Sequence, residues 1–181
     1  QEEHAAHFGD WNRSSTGKLL KICRRFNEFQ MFMTLAEDKA CRTMADVGCA
    51  AGGFYRFFHE YGPHLQYRGF DLSPVAIEAA KQRYPKGDFR LFDGNLETNL
   101  EIKSDIVFCR DVVHHQTDPF NFLSRLYDVT EKYLLLRLRT REVGATVADP
   151  ELSCQYTYGQ WVPFIVFNTS ELLDFCRSLS P

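Results

Sequence analysis

Four clusters in this sequence carry residues able to grip and act on a small ligand. The first is Asp46-Val47-Gly48-Cys49-Ala50-Ala51-Gly52-Gly53. Glycines at 48 and 52 let a backbone turn tightly and approach a ligand with no side chain between them. A helix starting after such a turn offers unpaired N–H groups and a partial positive charge, which suits a pyrophosphate or the carboxylate of an amino-acid-like ligand. Asp71 comes 25 residues after Asp46, and a carboxylate at a strand end can accept both hydroxyl hydrogens of a ribose. Asp93-Gly94 offers a further carboxylate, able to receive the exocyclic amine of an adenine. The fourth cluster is Arg110-Asp111-Val112-Val113-His114-His115. A histidine titrates near neutrality and can take a proton from a hydroxyl or an amine; the plain alternative is a pair that starts a helix or packs.

These clusters need a scaffold, and the pattern around them supplies one. Strands are predicted over 43–47, 66–70 (closing at Asp71), 89–92, 105–109 and 133–138. The last is a continuous apolar run, as expected of a strand covered on both faces. Between them fall helical segments: one from near Gly53, one opened by Ser73-Pro74 through Ala76, Ile77 and Ala80, and one opened by Asp118-Pro119 with Phe122, Leu123, Leu126 and Val129 as its buried stripe. Ahead of them Leu19, Ile22, Cys23, Phe26, Phe29 and Met33 recur at threes and fours. They predict one amphipathic helix to about Ala36, entered through Ser14-Ser15-Thr16-Gly17, with Lys18, Lys21, Arg24 and Arg25 on a solvated face. Alternating strands and helices give a parallel sheet with right-handed crossovers, whose ligands bind beyond the carboxyl ends of the strands. Asp46, Asp71 and Asp93 then fall at three successive strand ends, which chance does not explain well.

Composition narrows the class. The 181 residues are 44% hydrophobic and 14% aromatic, enough for a core without metal or disulfide staples. A net charge of −3 carries no general pull toward nucleic acid or anionic membrane. The six cysteines show no CxxC and no zinc-like spacing, so we expect reduced thiols in a cytoplasmic protein and no metal. No apolar run is long enough to span a bilayer, and the polar start does not read as a signal peptide.

On these residues the sequence resembles the class I, Rossmann-like S-adenosylmethionine-dependent methyltransferases. The family's first motif, an acidic residue followed by Gly-x-Gly-x-Gly, is matched by Asp46, Gly48 and Gly52, with Ala50 in place of the middle glycine. Its ribose acid falls on Asp71 in Gly69-Phe70-Asp71-Leu72-Ser73, and its adenine-side acid on Asp93 in Leu91-Phe92-Asp93-Gly94. The segment from Asp105 to His115 resembles the family's fourth strand and the loop after it, where the backbone near Arg110 meets the methionine part of the cofactor. The resemblance covers about residues 43–139. It implies a three-layer α/β/α fold with a mostly parallel central sheet. It also implies S-adenosyl-L-methionine as cofactor, S-adenosyl-L-homocysteine as product, and cofactor contacts from Asp46, Gly48, Cys49, Gly52, Asp71, Leu72, Asp93, Gly94 and Arg110. The family core normally ends in an antiparallel strand pair. Here the last predicted element is a helix over 169–181, so that pair is expected to be removed, replaced or absent in a shortened member.

We therefore read 1–181 as one domain: a helical segment over 1–40, a cofactor-binding core over 43–139, an insertion over 140–168 and a C-terminal helix. Tyr156, Tyr158, Trp161 and Phe164 in the insertion suit either a lid that binds the acceptor or aromatic packing over the sheet edge. Arg137, Arg139 and Arg141 would share one face if the fifth strand continued through them. A small-molecule or saccharide-type acceptor is expected, without nucleic acid, and His115 (with His114 second) is the candidate base. A noncatalytic cofactor-binding or regulatory protein is the alternative. An NAD-dependent oxidoreductase fits less well, because the turn is Gly-x-x-x-Gly-Gly and an acid precedes it.

Overall fold

The computed structural model describes residues 16–96, 100–157 and 159–179. Ser14, Ser15, Tyr158 and Pro181 lie outside the described residues. Five strands, β1 (Thr43–Val47), β2 (Gln66–Asp71), β3 (Phe89–Leu91), β4 (Ser104–Arg110) and β5 (Thr130–Arg137), form one sheet in the order β3-β2-β1-β4-β5. Every pairing in it is parallel, with Asp46 opposite Gly69 on one side and Phe108 on the other. The chain winds outward from β1 to β3, then returns to lay β4 and β5 on the other side. The strand order therefore reverses between β1 and β4, the place where such sheets open a crevice.

Period-2 alternation sorts the central strands onto two faces. Met44, Ile106, Phe108 and Leu135 meet Phe29 and Phe32 of α2 (Asn27–Leu35) and Phe57 and Phe58 of α3 (Tyr55–Tyr61). Ala45, Val47, Val107 and Cys109 meet Phe122, Leu123 and Leu126 of α5 (Pro119–Asp128) and Leu172 of α6 (Thr169–Leu179). Helix α4 (Pro74–Arg83) covers the β3 edge through Ile77, Ala80 and Tyr84 against Phe89. Three layers result, as the resemblance implies. Two caps form as expected: the Ser73 hydroxyl accepts from Ala76 N–H and the Asp118 carboxylate from Asn121 N–H.

The N-terminal region departs from the expected single helix. It makes two, α1 (Thr16–Cys23) and α2, broken where Phe26 is extended at φ −101 and ψ 135. The break lets the Phe26 ring turn onto Arg110 and Arg137, at 5.5 and 5.8 Å from the two guanidinium carbons. A continuous helix would carry it elsewhere. The arginine run also ends early: β5 stops at Arg137, and Thr140–Arg141 forms a separate short strand, β6, paired in parallel with β9 (Phe167–Asn168). The insertion further contains an antiparallel hairpin, β7 (Cys154–Thr157) and β8 (Gln160–Pro163). No helix among the described residues is long and apolar enough to cross a membrane.

One polar residue ties the two central strands at their start. Asp105 Oδ2 accepts from Arg42 N–H at 2.8 Å, Thr43 N–H at 3.0 Å and Thr43 Oγ1 at 3.0 Å. Although burial opposes it, these donors hold the Asp105 carboxyl below its ordinary value. Asp105→Ala strips partners from two backbone donors and should cost about 1–3 kcal/mol, read from urea unfolding. Because the lowered carboxyl contributes stability only where it is ionised, the gap between variant and wild type should shrink as pH falls below about 4.

Candidate functional site

The loop after β1 wraps back over β2. Gly48 and Gly52 take φ +85 and +70, and Ala50 takes φ +48. The left-handed conformation costs an L-residue about 1–2 kcal/mol, so Ala50 is held there by its surroundings. Gly48 and Cys49 N–H groups donate to the Phe70 carbonyl at 2.7 and 3.0 Å, and Ala50 N–H donates to Asp71 Oδ2 at 2.8 Å. Gly52 N–H returns to the Cys49 carbonyl. These amides serve the loop itself, and α3 begins at Tyr55, not near Gly53 as expected. The glycine at 48 is required sterically, since a Cβ there would lie 2.2 Å from Val112 Cγ2. Val112 is thereby set directly against the loop, which joins the β1 and β4 ends into one site.

Asp46 is 3% exposed on the last turn of the central strand. It accepts from the Tyr67 hydroxyl at 2.9 Å and has no ion-pair partner among the described residues. Burial above all lifts its carboxyl to about 7, with the nearby Asp71 charge adding to the rise and the Tyr67 bond and Arg110 opposing it. Asp71 accepts Ala50 N–H on one oxygen and Ser73 N–H, at 2.9 Å, on the other. Each oxygen retains a second lone pair, so the half-buried carboxylate is fixed in direction and still able to accept. Asp93 is exposed and accepts from Asn95 N–H at 2.8 Å. Gly94, at φ +89, lies against Leu72, an apolar side chain 57% exposed. Cys49 is buried, and burial raises its thiol well above the ordinary value, so it is a small packing group in the loop. Three carboxylates, a close-approach backbone and an exposed apolar shelf thus line one edge of the sheet. A nucleoside with a cationic tail has the matching chemistry: hydroxyls and an amine for the outer acids, an apolar base for Leu72, and a positive charge for the buried Asp46.

Beyond β4 the arrangement was only partly foreseen. The Arg110 side chain turns away from the loop to Glu28 (2.9 Å) and Asp111 (2.9 Å), beneath the rings of Phe26, Phe29 and Phe54. Arg137 joins the same cluster, 2.5 Å from Asp111 and 3.7 Å from Glu28. Asp111 takes φ +59, and its Oδ1 is buried without a partner. Glu28 carries no motif signal in the sequence, because 82 residues separate it from Arg110 and it lies on a helix, away from the strand ends. A short 3-10 turn, Val113–His115, follows. His114 is 2% exposed, and burial foremost, with its neighbour His115, pushes it down to about 4. His115 is half-buried, with Nδ1 2.7 Å from the Pro163 carbonyl at the end of β8. A carbonyl can only accept, so Nδ1 carries the proton and Nε2 is the basic nitrogen of the neutral ring. Ile165 N–H donates to the His114 carbonyl and the Phe164 ring lies 5.2 Å from His114. The 140–168 segment therefore reaches the turn after β4. Its aromatic residues divide: Phe164 packs on the histidines, while Tyr156 and Trp161 pair across the hairpin at 5.6 Å, 64% and 69% exposed.

Known proteins give this geometry a context. A family model described as a methyltransferase domain matches residues 45–132. A tRNA U34 carboxymethyltransferase from Sulfurimonas denitrificans is 33% identical over 95 residues, half of this chain and 32% of that protein. Phosphoethanolamine N-methyltransferase 2 of Caenorhabditis elegans is 33% identical over 114 residues, 60% of this chain and 24% of its own length. The matched region thus amounts to under half the length of these curated relatives. Human N-acetylserotonin methyltransferase, solved with S-adenosylmethionine, superposes with a TM-score of 0.58 over 92% of this chain and 51% of that one, at 17% identity, a likeness of fold.

Asp46 gives a direct test of the buried acid. With its carboxyl raised to about 7, the folded protein holds a proton there that the unfolded chain has already lost. Its burial therefore costs progressively more stability as pH rises from about 4, the unfolded value, through that range, and a constant amount above it. Asp46→Asn should gain thermal stability relative to wild type over that window and keep the gain at pH 8, followed by circular dichroism melts without ligand. A difference that does not vary with pH would show that Asp46 is not so perturbed.

Proposed function

Because this chain belongs to the class I, Rossmann-like S-adenosylmethionine-dependent methyltransferases, we propose that it transfers a methyl group from S-adenosylmethionine to a small polar acceptor, a hydroxyl- or amine-bearing molecule of the saccharide type included. The observation that carries the reading is the line of Asp46, Asp71 and Asp93 at three adjacent strand ends around a loop that a Cβ at Gly48 would obstruct. In this reading Asp71 accepts the ribose hydroxyls, Asp93 and Leu72 hold the adenine end, and Asp46 receives the positive amino-acid tail. When bound, the cofactor supplies a sulfonium methyl group. The protein then has to place an acceptor atom in line with it and keep water out.

His115 is the residue we assign to the acceptor proton. Its Nδ1–H is anchored on Pro163, which leaves Nε2 to take a proton from a hydroxyl or ammonium. His114 is buried and stays neutral at physiological pH, so we assign it to packing beneath His115. The exposed pair Tyr156 and Trp161 we assign to the acceptor side as a movable aromatic wall. The arginines offer less than their number suggests, since Arg110 and Arg137 are already committed to Glu28 and Asp111. That commitment, with a net charge of −3, favours a small acceptor over a polyanion.

Calorimetry with S-adenosylmethionine, S-adenosylhomocysteine and NAD separates the competing cofactors: the first two should bind saturably and NAD should not. Turnover, followed as S-adenosylhomocysteine release, should appear with hydroxyl- or amine-bearing small molecules and not with tRNA, the substrate in one relative's name. Turnover with tRNA alone would overturn the choice of acceptor. His115→Ala should slow turnover by about 10²–10⁴-fold and leave S-adenosylhomocysteine affinity unchanged; an unaltered rate removes His115 from the chemistry.

A further inference from the structure

Among the buried groups of this protein, Asp46 is the acid at the site whose hydrogen bond comes from outside the motif that contains it. Its donor is Tyr67, on the neighbouring strand β2, through the hydroxyl to Oδ2 at 2.9 Å. Room for that hydroxyl is made by a glycine. A Cβ at Gly69 would stand 2.7 Å from Tyr67 Oη and 2.9 Å from Cys49 Sγ, so any side chain there displaces one or the other. The ring has little freedom to leave: Phe58 lies parallel at 5.9 Å, and Tyr55 and Phe89 meet it edge-on at 5.1 and 5.8 Å.

We propose that Tyr67 is a positioning residue for cofactor binding, fixing the Asp46 carboxylate, in direction and in its ionised form, to receive the ammonium of the cofactor's amino-acid tail. This rests on the methyl-donor reading above and adds a residue outside the recognised motifs.

The surroundings of Asp46 make the single hydroxyl matter. From β2, Tyr67 faces it and Asp71 lies close enough to repel it; from the loop comes the Cys49 thiol; from the end of β4, Arg110 attracts it. Arg110 is already paired with Glu28 and Asp111, so it contributes a distant field and no contact. On the far side of Tyr67 stands Tyr55, from α3. A neutral hydroxyl donor stabilises a buried carboxylate without competing for the cation it is meant to bind, which an arginine in the same place would do. In the ligand-free protein the carboxyl sits near 7, so below that pH it holds a proton. An arriving ammonium must then expel that proton to solvent, while the Tyr67 proton stays on its oxygen.

The test is calorimetry of S-adenosylhomocysteine at pH 6 and pH 8, each in two buffers of different ionisation enthalpy, which counts protons released. Wild type should release close to one proton at pH 6 and almost none at pH 8, and bind about tenfold more weakly at pH 6, as expected for one group titrating near 7. Tyr67→Phe keeps the ring packing and removes only the donor. It should raise proton release at pH 8 to about half a proton and weaken binding by about tenfold at pH 6 and about twofold at pH 8, the effect of a titration moved up by about one unit. Asp46→Asn should bind weakly with no pH dependence and no proton release. A Tyr67→Phe protein with wild-type affinity and an unmoved pH profile overturns the proposal while leaving the methyl-donor reading intact. Wild type that fails to bind at pH 8 overturns that reading, and this one with it.

Discussion

The site depends on how the tip of β1 is folded down onto β2. Three consecutive amides, Gly48, Cys49 and Ala50, reach across to the Phe70 carbonyl and the Asp71 carboxylate. Those bonds continue the parallel pairing of β1 and β2 past the point where regular strand geometry ends. They require left-handed backbone at Gly48, Ala50 and Gly52, and they turn the loop away from the space above the strand ends. The same interaction fixes Asp71, since its two oxygens are shared between the loop and the start of α4. One set of backbone bonds therefore shapes the floor of the site and aims an acid of its wall.

A second constraint acts from the opposite side. Glu28, Arg110, Asp111 and Arg137 bring two cations and two anions together with little exposure, so charge is balanced within the cluster. Burying four charges is costly, and such clusters add little net stability over an apolar replacement. Their value lies in direction. The cluster joins α2 to the ends of β4 and β5, and three aromatic rings, Phe26 from the break before α2, Phe29 from α2 and Phe54 from the β1 loop, close over Arg110. It also holds Asp111 at φ +59, which bends the chain sharply out of β4 toward Val112 and the two histidines. Strained backbone of this kind persists only where its surroundings determine it, and here the surroundings are four charges.

Much of this was legible in the sequence because it is local. The strands announce themselves by short apolar runs closed by an acid or a polar residue, and β1 runs over Thr43–Val47 as expected. Asp46, Asp71 and Asp93 do fall at successive strand ends, since strand length and strand end are set by residues next to each other. What escaped is set by residues far apart. Apolar spacing predicts a continuous helix through Phe26; the break there answers to Arg110 and Arg137, whose positions the spacing does not encode. The sequence likewise does not reveal that Phe70 and Asp71 take the loop amides. Tyr67 gave no motif signal at all. The only hint was Gly69 two residues on, a glycine inside a strand, which marks a place where another group comes close.

The insertion shows how such distant contacts divide work among similar residues. His114 and His115 are adjacent and chemically identical, yet the segment that returns through Pro163, Phe164 and Ile165 treats them differently. It takes the backbone carbonyl of His114 and covers its ring, which leaves that histidine neutral and enclosed. It gives His115 a carbonyl for Nδ1, which orients the ring and selects its tautomer. The surroundings of both histidines are thus completed by a segment that lies outside the matched methyltransferase region, which ends at residue 132. In the proposed reading, cofactor grip and proton handling sit on separate stretches of chain, the first on the ends of β1 to β3, the second on a turn finished by the insertion. On that proposal, changes in the insertion alter which acceptor is held without disturbing Asp46, Asp71 or the loop between them.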